Sequence, residues 1–271
     1  MTVDSLTKKP AKIYPRTWAD QAWNVCTGCS FVSRGCQHCY ARSMAIRFQE
    51  KYDETKDPKM ALWANGFKVT LRPERLEWPL KRWKRPKFIF MLSMGDLWHP
   101  DVPNEYRDRV FDVIDQTKHI YMWLTKRVEP FTEYVMKRYG GFPPQVWPGC
   151  TIENQDAVHR IEHLIKTPSK LKWWVNAEPL VGPLVLNDHL LESINYLAVG
   201  GEVGFNSTPT KLEWVIDLML QTKAHSVPFS FMTWGHHNEA GVKVGPKESG
   251  KLVCGKEYSD FPDLDALLSI K

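Results

Sequence analysis

A recurring unit constrains this chain more than any other feature. A short, β-rich apolar run ends in polar or glycine residues, and a helix-like stretch follows. "FIFMLS" from Phe88 ends in Ser93-Met94-Gly95-Asp96, and "HIYMWL" ends in Thr125-Lys126-Arg127. "QVWPGC" ends in Thr151-Ile152-Glu153-Asn154, and "KWWV" ends in Asn176-Ala177-Glu178-Pro179. "INYLAV" ends in Gly200-Gly201-Glu202, and "PFSFM" ends in Thr233-Trp234-Gly235. Among the intervening stretches, "NEYRDRVFDVIDQ" places Tyr106, Val110, Val113 and Ile114 on one helical face. "DAVHRIEHLIK" and "KLEWVIDLMLQTK" behave likewise. Alternating strand and helix predicts an α/β fold of parallel β/α units. With a first strand near Ala22-Trp23-Asn24, the pattern suits a partial or complete (β/α) barrel, whose strand ends converge on one mouth. An open doubly wound sheet is the alternative, and would spread those ends along a line.

The chain has 271 residues, of which 43% are hydrophobic and 25% charged. That suits a single soluble domain over 1–271, with a short N-terminal arm (about 1–17) and a loop-rich C-terminal extension (about 236–271). No apolar run reaches the length of a membrane span. "MTVDSLTKKPAKIYPR" at the N-terminus has no apolar core of a signal peptide. A cytoplasmic protein with no membrane partner is expected, and the oligomeric state is open.

Four of the six cysteines fall in "CTGCSFVSRGCQHC", spaced C-x2-C-x6-C-x2-C from Cys26 to Cys39. In a reducing compartment clustered thiols point to metal or catalysis rather than disulfides. A closed set of four thiolates reads as structural zinc, and a set of three leaves a coordination position open for chemistry. The usual zinc ribbon has a longer central spacer, and the usual ferredoxin run has a different rhythm. The cluster follows the first strand and precedes the helix-like "CYARSMAIRFQEKY", which puts it at the mouth of the expected barrel. A centre that touches a substrate belongs there; a structural knuckle has no need to be.

The stretch "WNVCTGCSFVSRGCQHCYAR" resembles the cysteine motif of an uncharacterised, phage-associated family of radical S-adenosylmethionine (SAM) proteins. The resemblance continues through "LRPERLEWPL", "SMGDLWHPDVP", "LTKR", "TIENQ", "AEPLVGPL", "VGGEVG", "WG" and "GKEYSDFP", so it spans about Trp18 to Pro262. It implies a radical SAM-type barrel and a [4Fe–4S] cluster held by Cys29, Cys36 and Cys39. The fourth iron would take the amino and carboxylate groups of SAM, and an external one-electron reductant would serve the cluster. Cys26 would be a bystander or a small buried thiol. The C-x6-C-x2-C spacing departs from the commonest radical SAM spacing, C-x3-C-x2-C, and His38 stands where an aromatic residue is common.

By the same resemblance, "SMGD" stands where such proteins contact the SAM amino group, which assigns Ser93, Gly95 and Asp96 to the cofactor. Gly200, Gly201 and Glu202 would serve the SAM ribose or the substrate, against the plainer reading of a turn. Glu153, Asn154, Asn176 and Glu178 lie on neighbouring strand ends and would converge near SAM or substrate. The plainer reading is a salt-bridged rim with Lys126 and Arg127. Lys126, Arg127, Asn154 and Trp234 are the substrate candidates. Asp96 with His99, and His236 with His237, invite a second metal, but turn-stabilising hydrogen bonds are the more economical reading.

Net charge is +5, and twelve tryptophans accompany it. Both are compatible with a nucleic acid, as is the basic, Trp-containing stretch "RPERLEWPLKRWKRPK" from Arg72 to Lys87. They are equally compatible with an ordinary surface and core. Phage association favours a nucleobase or modified nucleoside as substrate, such as side-chain rearrangement of a modified thymidine in phage DNA, in the host cytoplasm if phage-encoded. The competing functions are a zinc-stabilised nucleic-acid-binding protein without catalysis and an electron-transfer iron–sulfur protein.

Overall fold

The computed structural model describes residues 19–204 and 206–263. The expected N-terminal arm and the last residues of the C-terminal extension lie outside the described residues.

The apolar runs form the expected strands. In chain order they are β1 (Gln21–Trp23), β2 (Cys26–Thr27), β3 (Thr70–Leu71), β4 (Phe88–Met91), β5 (Ile120–Met122), β6 (Val146–Trp147) and β7 (Gly149–Thr151). There follow β8 (Trp173–Ala177), β9 (Ile194–Val199), β10 (Phe229–Phe231), β11 (Leu252–Val253) and β12 (Lys256–Glu257). The helices are α1 (Tyr40–Thr55), α2 (Trp78–Lys81), α3 (Asn104–Asp115), α4 (Val128–Tyr139), α5 (His159–Leu164), α6 (Asp188–Ser193) and α7 (Leu212–Ala224). On α3 the predicted face of Tyr106, Val110, Val113 and Ile114 is buried.

Two four-stranded sheets, β1-β4-β5-β6 and β7-β8-β9-β10, are parallel throughout. Pro148 separates β6 from β7 and has no N–H for a ladder. Hydrogen bonds nevertheless run on across the break. Trp123 N donates to Trp147 O at 2.9 Å, and Thr151 N donates to Thr125 O at 3.1 Å. Strand order therefore follows chain order without reversing, so no topological switch point arises of the kind a doubly wound sheet has. Among the described residues β10 does not pair with β1. Instead the chain after β12 returns beside β10, where Ser259 bridges Ser230 antiparallel and Asp260 N donates to Phe229 O at 3.1 Å.

Alternation along the strands sorts the core into two faces. Ile89, Met91, Tyr121, Trp123, Val175, Leu197 and Val199 pack with helix residues such as Val110, Phe111, Ile161, Leu164 and Leu218. Phe88, Met122, Trp147, Trp174 and Tyr196 form a separate apolar cluster with Phe261. Phe90, Leu124 and Met232 pack against that second cluster and also border a cavity at the carboxyl ends of the strands. Gln21 from one sheet edge and Met232 from just beyond the other line this same cavity, so the strands curve around it.

Gly149 marks how closely the layers pack. A Cβ there would stand 2.2 Å from Trp174 Nε1, which is fixed by donating to Trp123 O at 2.9 Å. Gly149→Ala is expected to destabilise the fold by about 2 kcal/mol through overpacking, read as a lower urea midpoint at unchanged slope.

Candidate functional site

The cysteine segment begins where β2 pairs antiparallel with β3. Gly28 then turns the chain with φ +91, and a Cβ there would meet Lys68 O at 2.2 Å. Only glycine permits that approach. A short 3-10 turn, Arg34–Cys36, follows, and Cys39 sits at the N-terminus of α1. Cys29, Cys36 and Cys39 are half-buried, unbridged, and line one outer cavity of about 800 Å3. Cys26 is fully buried within β2 and does not line that cavity. Burial pushes its thiol well above the ordinary value.

Two buried ion pairs hold this segment against the strand ends. Glu153, 1% exposed just after β7, accepts Gly35 N at 3.2 Å and Arg160 Nη1 at 2.7 Å. Burial alone would push its carboxyl up, but the Ser33 hydroxyl, Arg160 and Lys126 outweigh it and hold the group below its ordinary value. Arg127, beyond β5, donates from Nη1 to Cys29 Sγ and to Asp96 Oδ2, each at 3.1 Å. Its Nη2 donates to Ser30 O at 3.2 Å and Ser30 Oγ at 2.9 Å. Burial and Asp96 raise the Cys29 thiol above its ordinary value, with Arg127 opposing them.

A second cavity, about 860 Å3, lies inside the curve of the strands. Gly35, His38 and Cys39 form its wall toward the cysteine segment, so Cys39 borders both cavities. Ser93, Lys126, Asn176, Glu178, Gly201 and Glu202 supply polar lining from successive strand ends. Burial raises the Glu178 carboxyl above its ordinary value, while the Asn176 amide and Lys126 pull it back. Asn176 Oδ1 is buried without a hydrogen-bond partner. Glu202 is 2% exposed; its Oε2 accepts Thr208 N at 2.7 Å, while Oε1 has no hydrogen-bond partner and stands 3.5 Å from Arg34 Nη1.

Several expected site residues have other duties. Asp96 accepts from Thr125 Oγ1, Trp98 N and Arg127, and lines neither cavity. Gly95 packs backbone to backbone, bridging Gly28, with Cys26 O 2.9 Å from where a Cβ would sit. Gly200 leaves room for Glu178, whose Oε1 would be 2.7 Å from a Cβ. Trp234 is 1% exposed and donates from Nε1 to Leu252 O at 2.8 Å, a core position away from both cavities. Asn154 donates to Asp156 at 3.3 Å and also lines neither. His99 donates or accepts at Ser30 Oγ over 2.8 Å and holds Asp101 N on Nδ1 at 3.1 Å. Within "RPERLEWPLKRWKRPK", Arg72 donates to Thr27 Oγ1 at 2.9 Å and Arg82 lies 4.0 Å over the Trp78 ring; Lys84 and Arg85 are exposed. His38 and Tyr40, absent from the expected site residues, also line the inner cavity. Their positions flanking Cys39 were the available signal.

Among the described residues no three His, Cys, Asp or Glu side chains are gathered tightly enough to hold one metal ion. A tetrahedral zinc site brings its sulfurs to about 3.8 Å of one another. In a [4Fe–4S] cluster each cysteine ligates a different iron, so the sulfurs stand farther apart. Cys29, Cys36 and Cys39 are three free thiols around one cavity, donors that such a cluster could use, while the fourth cysteine of the segment is locked in β2.

Glu153→Gln would leave Arg160 buried without its counter-charge, an expected loss of about 3 kcal/mol at pH 7. Because the folded carboxyl titrates below its ordinary 4.5, its contribution is complete above that pH and disappears as pH falls through the lower folded value. The stability gap between wild type and Glu153→Gln, followed by denaturation from pH 7 to pH 3, should therefore close on the acid side.

Neither a curated protein nor a solved structure is detectably similar to this chain. A family model does match, over residues 15–262, described as a protein of unknown function (DUF5131), and the chain belongs to that family.

Proposed function

We propose that this protein is a radical SAM enzyme built on a partial (β/α) barrel, with Cys29, Cys36 and Cys39 holding a [4Fe–4S] cluster. The observation that carries the proposal is the position of Cys39. It borders both the outer cavity shared by the three thiols and the cavity enclosed by the parallel strands. A centre held there would have one face toward a walled, polar-lined chamber. When bound, the cluster and SAM would supply a 5′-deoxyadenosyl radical, which abstracts hydrogen from an unactivated carbon.

The chain's own residues would perform the remaining tasks. Asn176 and Glu202 would supply polar groups to the wall of the chamber, and Lys126 and Glu178 a cation and a carboxyl on the same wall. Phe90, Leu124 and Met232 close the chamber floor and would keep water from a reactive carbon. For substrate we propose a nucleobase or modified nucleoside. The support is the net charge of +5 and a chamber wall that mixes Tyr40, His38 and Phe90 with hydrogen-bonding groups.

Anaerobically reconstituted protein should be brown, carry about four irons, and form 5′-deoxyadenosine from SAM when reduced with dithionite. Cys29→Ala, Cys36→Ala and Cys39→Ala should each lose the cluster, and Cys26→Ala should keep it. Iron content and electron paramagnetic resonance decide. Colourless protein with stoichiometric zinc, or loss of the cluster in Cys26→Ala alone, overturns the ligand assignment. A reducible cluster that never cleaves SAM would leave an electron-transfer protein.

A further inference from the structure

Arg127 is a substrate candidate by sequence, yet its guanidinium is turned to the cysteine segment. One nitrogen, Nη1, is shared between Cys29 Sγ and Asp96 Oδ2 at 3.1 Å each. The other, Nη2, holds both oxygens of Ser30. Arg127 N also donates to Thr125 Oγ1 at 2.9 Å, and that hydroxyl donates to Asp96 Oδ1 and Oδ2 at 3.1 and 3.0 Å. The Arg127 and Asp96 side chains are 12% and 10% exposed, so the pair is little screened by solvent. Neither residue lines the inner cavity. Their geometry is directed at one sulfur and its neighbour.

We infer that Arg127 is a positioning residue for Cys29, and that Arg127 and Asp96 together set the reduction potential of the centre Cys29 ligates. The inference rests on the cluster assignment above. A hydrogen bond to a ligating sulfur, and a cation beside it, stabilise the reduced and more negative state of a cluster, which raises its potential. A carboxylate at the same distance from the guanidinium acts in the opposite sense. The two side chains therefore oppose one another electrostatically while sharing one geometric task. A lysine cannot reproduce that task, because an ammonium lacks the planar fork that reaches Cys29, Asp96 and Ser30 together.

The test compares reconstituted wild type, Arg127→Met, Arg127→Lys and Asp96→Asn by redox titration followed by electron paramagnetic resonance. Arg127→Met should shift the midpoint to more negative potential, since the donor to sulfur is gone and Asp96 is uncompensated. Asp96→Asn should shift it the other way. Arg127→Lys should fall between wild type and Arg127→Met. Opposite signs for the two partners distinguish tuning from simple loosening of the loop, which would move both variants alike. Should Arg127→Met fail to retain a cluster, the Arg127→Lys and Asp96→Asn shifts still decide. Unchanged or same-signed midpoints in variants that retain the cluster overturn this inference alone. A wild type that takes up no cluster overturns the assignment beneath it.

Discussion

The burial of Glu153 is the constraint on which the site depends. A carboxylate at 1% exposure is tolerable only with partners that match its charge and fill its lone pairs. Arg160 supplies the charge from α5, and Gly35 N supplies a donor from the cysteine segment. The same group thus ties the end of β7 to a helix of the outer layer and to the turn between Cys29 and Cys36. Gly35 lies close against this carboxylate, since a Cβ would come within 3.2 Å of the Glu153 side chain and make it shift by a few tenths of an ångström. The cysteine segment is held to the sheet by these polar contacts together with apolar packing of Cys26 and Cys39 at its two ends, and the thiols of Cys29, Cys36 and Cys39 stay half-buried.

Arg127 repeats the logic one strand earlier, and the pairing of neighbours there divides the labour. Lys126 and Arg127 are adjacent in the bend between β5 and α4. Lys126 lines the inner cavity, while Arg127 turns outward to Cys29 and Asp96. The framework of the site is therefore built from buried ion pairs, and the cation that lines its interior is Lys126.

Much of this was legible in the sequence, for identifiable reasons. Strands such as Phe88–Met91 and Ile194–Val199 declare themselves as short apolar runs closed by glycine or polar residues, and α3 by its buried stripe. Parallel order puts the strand-end residues on one edge, and the curve of the strands around the inner cavity brings them together. What could not be read is which way a strand-end side chain turns. Trp234 and Asp96 occupy positions that suit a ligand site, yet Trp234 goes under the loop that leads to Leu252, and Asp96 goes to Thr125 and Arg127. The return of Ser259 and Asp260 to the edge of β10 was equally hidden, because that pairing is too short to carry a period in "EYSDFP".

Buried polar atoms without hydrogen-bond partners occur in several parts of the structure, among them Trp98 Nε1, Trp123 Nε1 and Gln145 Oε1 as well as atoms of residues at the inner cavity. Buried polar atoms in a folded protein nearly always find partners, so each exception asks for a cause. Asn176 Oδ1 and Glu202 Oε1 are such exceptions, and both belong to residues that line the inner cavity. They come from the ends of different strands, β8 and β9. Around them Glu153, Arg160, Asp96 and Arg127 are fully engaged. Glu202 joins them through Oε2, which accepts Thr208 N at 2.7 Å, and through Arg34, whose Nη1 stands 3.5 Å from Oε1, so a charged contact also runs from the end of β9 to the cysteine segment.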